Sequence, residues 1–162
     1  MIRTLATALL ALCLTSSGVF ALSLDQLVMR GGVAYKKFTD EPFTGTVDEE
    51  LGRGTFKNGK FEGPWIMYWG NGQLRSKGAY KNGKREGPWV TDYVNGQLSW
   101  KGVFKSGKRE GPWVAYWANG QLRFKGAYKN GEREGLWVGY NSDGSKYKVL
   151  SGTFRNGKRV SY

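Results

Sequence analysis

From Gly52 onward, apolar and polar residues alternate in short runs, and a turn signal cuts the pattern about every dozen residues. An aromatic run such as Trp113-Val114-Ala115-Tyr116-Trp117 ends at Asn119-Gly120. The next run, Leu122-Arg123-Phe124-Lys125-Gly126-Ala127-Tyr128, carries cations at alternate places and ends at Asn130-Gly131. Alternation of period two bounded by Asn-Gly predicts strands joined in hairpins, since a two-residue type I′ turn needs positive φ at both central positions. The unit recurs every 24 residues: Glu62-Gly63-Pro64-Trp65, Glu86-Gly87-Pro88-Trp89, Glu110-Gly111-Pro112-Trp113 and Glu134-Gly135-Leu136-Trp137. Self-similarity at a fixed period marks a repeat architecture. The expected fold is therefore all-β: an elongated, single-layer, twisted antiparallel meander of repeated hairpins.

Taking Asn119-Gly120 as a two-residue loop sets Trp117 opposite Leu122, Ala115 opposite Phe124 and Trp113 opposite Gly126. By the same count Thr91 faces Trp100, Trp89 faces Gly102 and Trp65 faces Gly78. Each Trp is expected to cover a cross-strand glycine, a fit that a slip of one residue would destroy. On the other face Ile66, Val90 and Val114 fall opposite Lys77, Lys101 and Lys125, and Tyr68 and Tyr116 fall opposite Arg75 and Arg123, where the guanidinium can stack on the Tyr ring. One face is thus aromatic and the other basic with an apolar floor. Pro64, Pro88 and Pro112 cannot donate to a ladder and are expected at strand starts.

The ends differ from the repeat. Residues 22–47 read as an N-terminal cap in which Val33–Phe38 pairs with Phe43–Val47 across a turn at Thr39–Pro42, and residues 48–162 as the repeat sheet. Asn141-Ser142-Asp143-Gly144 replaces the tight turn of the last unit. Tyr147, Val149 and Leu150 form an insertion, expected as a bulge before a terminal strand that curls to close the sheet.

Residues 1–21 have the pattern of an export signal: Arg3, an apolar core from Leu5 to Leu14, and Val19-Phe20-Ala21 with cleavage expected after Ala21. The one Cys, Cys13, follows Leu10-Ala11-Leu12, where Leu12 is too large for a lipoprotein site. A mature chain without thiols in the periplasm or outside the cell is expected.

The formal charge of +12 favours anionic partners, although lysines also keep sheets soluble and discourage edge pairing. Lys81, Lys84, Arg85, Lys105, Lys108, Arg109, Lys129 and Arg133 lie at one set of turns and are candidates for anion binding, with Glu62, Glu86, Glu110 and Glu134 neutralising part of that rim. Trp65, Trp69, Trp89, Tyr93, Trp113, Trp117 and Trp137 form a stripe that either binds a partner or packs on itself as the core. With no His and no mature Cys, the usual general base, nucleophile pairs and soft metal ligands are missing, so no enzyme, cofactor or metal site is expected.

The combination of Gly-x-Trp, Tyr, Asn-Gly and Lys-Gly-x-Tyr at a fixed period, over about Tyr35 to Lys158, resembles the MORN (membrane occupation and recognition nexus) repeat-variant family. Tyr35–Val47 is similar to the opening segment of its secreted bacterial members. The resemblance implies an elongated antiparallel sheet used as an interaction scaffold, in some relatives linked to membranes. Many bacterial relatives carry the description of antitoxins in toxin–antitoxin pairs. Three expectations stand together: a non-enzymatic envelope protein binding a protein partner through its sheet, an antitoxin or immunity protein, and a binder of anionic lipid or another polyanion. Sequence-specific recognition of nucleic acid is not expected.

Overall fold

The computed structural model describes residues 22–161; the export signal expected at residues 1–21 lies outside them. After a 3₁₀ turn at Leu24–Gln26, β1 (Leu27–Arg30) and β2 (Val33–Lys36) form a small hairpin. The main sheet runs in chain order: β3 (Gly45–Glu49), β4 (Gly52–Lys57), β5 (Lys60–Tyr68), β6 (Leu74–Lys81), β7 (Lys84–Asp92), β8 (Leu98–Lys105), β9 (Lys108–Tyr116), β10 (Leu122–Lys129), β11 (Glu132–Gly139), β12 (Gly152–Arg155) and β13 (Lys158–Ser161). These 11 strands are ordered in space as in sequence, so the meander of hairpins is observed.

Two kinds of turn alternate. Lys81 pairs with Lys84 around Asn82 (φ 50°) and Gly83 (φ 77°), the type I′ turn that Asn-Gly predicts. At Asn119-Gly120 the loop has three residues instead. Trp117 N–H donates to the Gln121 carbonyl, Gly120 N–H donates to the Trp117 carbonyl, and only Gly120 has positive φ. The wider turn is held by the Asn119 side chain, whose Oδ1 accepts from Gln121 N–H at 3.1 Å. Leu122 consequently pairs with Tyr116, not Trp117, and Leu74 with Tyr68. A bulge at Arg123 then restores the expected register: Ala115 with Phe124, Val114 with Lys125 and Trp113 with Gly126. Arg75 and Arg123 do not face Tyr68 and Tyr116. They stack on Trp69 and Trp117, 4.8 and 4.4 Å from the ring centroids.

The prolines sit inside strands. Between the pairs Ala79–Glu86 and Lys77–Val90 the register jumps, leaving Gly87, Pro88 and Trp89 against Gly78 alone. The missing Pro N–H falls in this bulge, where no ladder bond is asked of it. The bulge also tips the Trp ring. Trp89 lies on Gly78 of the preceding strand, not on its register partner Gly102, and Trp65, Trp113 and Trp137 lie likewise on Gly54, Gly102 and Gly126. Each indole Nε1–H donates 3.0–3.2 Å to the carbonyl just beyond that glycine: Thr55, Ala79, Val103 and Ala127.

At the N-terminus Leu27–Arg30, not Phe43–Val47, is the partner of Val33–Lys36, and Val47 belongs to the main sheet. Gly31-Gly32 supplies a turn closer in sequence than Thr39–Pro42, which leaves only the single bridge Tyr35–Pro42. This hairpin docks on the first repeat turn, where Ala34 N–H donates to the Gly59 carbonyl at 2.8 Å. At the C-terminus Asn141–Ser145 keeps the three-residue turn of its predecessors, with Asp143 Oδ1 accepting from Ser145 N–H at 2.8 Å. The insertion forms a 3₁₀ turn, Lys148–Leu150, held by buried Ser151, whose Oγ accepts from Gly139 N–H at 3.0 Å. Two strands come after it, and β13 ends an open sheet without closing it.

Gly102→Ala tests the Trp–Gly contact. A Cβ there would stand 2.2 Å from the Trp113 ring, and overpacking of this kind is expected to cost about 1–3 kcal/mol in urea unfolding, measurable as a lower midpoint at unchanged slope.

Candidate interaction surfaces

The aromatic face is a core. Trp89, Trp113 and Trp137 are buried with Phe104, Tyr128 and Phe154, and Trp65 is buried with Phe43, Val47 and Phe56. Edge-to-face contacts run from strand to strand: Tyr80 to Trp89 at 5.0 Å, Phe104 to Trp113 at 5.3 Å and Tyr128 to Trp137 at 4.9 Å. A sheet with no second layer needs such a stack, since each strand can shield its neighbour's apolar surface only with its own rings. Of the stripe expected from sequence, Trp65, Trp89, Trp113 and Trp137 therefore lie inside. Trp69, Tyr93 and Trp117 lie half-buried at the three-residue turns, each donating to a backbone carbonyl one repeat on: Asp92, Tyr116 and Tyr140.

The cationic edge also divides. Arg85, Arg109 and Arg133 lie on the aromatic face, 4.6–4.9 Å above Trp89, Trp113 and Trp137, and the Arg109 guanidinium donates to the Tyr128 hydroxyl at 2.8 Å. Lys81, Lys84, Lys105, Lys108 and Lys129 remain exposed at the turns. The repeated glutamates do not pair with them. Glu62, Glu86, Glu110 and Glu134 accept from the turn N–H groups of Asn82, Ser106, Asn130 and Asn156 at 2.7–3.0 Å. Their spacing of 20 to 22 residues ahead of each turn was the sequence signal for this role. Ion pairs among the described residues are Arg30–Asp40 and Arg53–Asp48, neither of them on this edge.

The face opposite the rings holds an open trough of about 1020 Å³. Its floor is built from two rows crossing the strands. In one, Ile66, Lys77, Val90, Lys101, Val114, Lys125 and Val138 stand directly opposite one another in turn. The other contains Pro64, Ala79, Pro88, Val103 and Pro112, with Leu136 at the far end, itself 70% exposed. The valines are half-buried and the lysines exposed. Val90, Val114 and their lysine partners were legible as a basic face with an apolar floor. The prolines were not, because strand starts would have placed them at an edge. Among the described residues no three His, Cys, Asp or Glu side chains come together as metal ligands.

The repeated hairpin and its 24-residue pattern have a counterpart among known families. Residues 61–82 and 109–130 match the MORN repeat variant family. No curated protein matches the chain. The matched segments cover β5–β6 and β9–β10, and β7–β8 between them repeats the same pairs: Trp89 with Gly102, Val90 with Lys101. MORN repeats are a non-catalytic repeat type and act as binding or scaffold modules.

Asp92 replaces the Tyr of its counterparts Tyr68 and Tyr116, and burial raises its carboxyl above the ordinary 3.8. The folded chain then holds this proton more tightly than the unfolded chain. Stability falls as pH rises from the ordinary value through the raised one, and the loss is complete above it. Asp92→Asn is accordingly expected to raise Tm at pH 7 and to leave it unchanged near pH 3, where both states carry the proton.

Proposed function

We propose that this protein is a non-enzymatic binding or scaffold protein of the cell envelope that engages a protein partner through its sheet. The observation that carries the reading is the trough: Pro64, Pro88, Pro112, Val103 and Leu136 present an apolar surface to solvent along a trough that crosses seven strands, β5 to β11, opposite a face already packed. An apolar surface of that extent on an otherwise basic chain marks an interaction site. The export-signal pattern of residues 1–21 supports placement outside the cytoplasm.

A second reading, capture of a polyanion or an anionic lipid surface, is supported by the exposed lysines of the turn edge, none of which is ion-paired among the described residues. Its binding would use the edge and collapse as salt shortens the Debye length.

A photo-crosslinking residue placed at Val103 in the full chain, expressed in its native cell, is expected to yield a discrete protein adduct. The same residue at exposed Val94, on a three-residue turn away from the trough, should yield none. Adducts equal at both positions, or none at Val103, would remove the trough as the binding face.

A further inference from the structure

The alternating row across the trough carries a spacing that selects a partner. Lys77, Lys101 and Lys125 each stand two strands apart, so their stems emerge about 9.6 Å from one another, with Val90 and Val114 midway between them. A complementary ligand must offer an anion about every 9.6 Å and an apolar group halfway along, both on one side. An extended peptide turns the same side every second residue, about 6.8 Å, and meets neither requirement. An α-helix meets both: residues seven apart recur on one face after about 10.5 Å, and residues three or four along fall midway on that face. Over three lysines the mismatch accumulates to about 2 Å, within the reach of flexible lysine stems. Among the described residues no ion pair is made by any of the three lysines, so their charge is available to a ligand.

We infer that the trough takes an acidic amphipathic helix, with Glu or Asp at every seventh position over the lysines and apolar residues between them over Val90 and Val114. From β5 to β11 the trough spans six strand spacings, about 29 Å, room for a helix of about 19 residues. The exposed second row, Pro88, Val103 and Pro112, lies beside the helix axis and receives the flank of its apolar face. A second copy of this chain is disfavoured, because it would set lysines against lysines in a protein of charge +12. The inference rests on the trough being the binding face and adds the chemistry of the occupant.

The test uses a capped 21-residue synthetic peptide with Glu at positions 1, 8 and 15, Leu at positions 4, 5, 11 and 12 and Ala or Gln elsewhere. A permuted peptide of identical composition, with Glu and Leu on different faces, is the control. Calorimetric titration into the full chain should give at least tenfold tighter binding for the first peptide. Lys101→Glu, an exposed change whose fold is checked by circular dichroism, should weaken that binding at least tenfold, and a peptide with Lys in place of the central Glu should regain it. Equal affinity for the two peptides, or indifference to Lys101→Glu, overturns the inference. So does displacement of the peptide by phosphatidylglycerol vesicles that bind Lys101→Glu no less well. A partner crosslinked at Val103 through a segment that is not an acidic helix would also overturn it while leaving the binding face intact, whereas absence of any adduct there removes the binding face itself.

Discussion

The fold depends on one contact made four times: an indole laid on the backbone of a glycine in the preceding strand, its N–H bonded to the next carbonyl along. A single-layer sheet has no neighbouring layer to cover its apolar side, and glycine leaves a stretch of backbone bare. The ring fills that space and shields a strand hydrogen bond from water at the same time. Because the bulge at Gly-Pro aims each ring backward, every repeat is closed by the one after it. Cohesion is therefore passed along the chain between neighbours, as in other repeat proteins, and is never gathered in one central core.

The alternation of apolar and polar residues revealed the strands, their order and most of their pairs, since period-two patterning has a single register that keeps rings on one side. Side-chain hydrogen bonding at the turns was harder to read. Asn82 and Asn119 both precede glycine, yet the first enters the left-handed region and the second bonds Gln121 N–H from an ordinary conformation. The wider turn is followed by the bulge at Arg123, which absorbs the additional residue. Pro88 misleads for a related reason, because a bulge inside a strand excuses a missing donor that a regular ladder would not. The pairing within the N-terminal hairpin was misread where two candidate turns competed and the shorter one, Gly31-Gly32, prevailed.

Surface roles inverted for the same physical reason. Trp residues invite assignment as binding groups, but here Trp65, Trp89, Trp113 and Trp137 are the largest apolar mass available to a sheet that must cover itself, and they lie inside. The arginines expected on the cationic rim, Arg85, Arg109 and Arg133, stack over those rings from the solvent side. What is left facing solvent is aliphatic and basic: proline, valine and lysine in rows set by strand spacing. A surface of this kind offers a regular ruling in place of a pocket shaped to one small molecule, which suits a long partner better than a compact substrate.

The three-residue turns hold a last lesson in their amides. Asn71, Asn95 and Asn119 each reach forward with Nδ2 to a carbonyl in the succeeding turn, at Val94, Ala118 and Ser142. Asp143 stands in the fourth turn and has only oxygens, so it closes its own turn and extends no hand onward. Asparagine thus works as a coupler and aspartate as a buffer stop. A gene that duplicated one unit anywhere ahead of Asp143 would lengthen the molecule by a hairpin and leave both of its finished ends untouched.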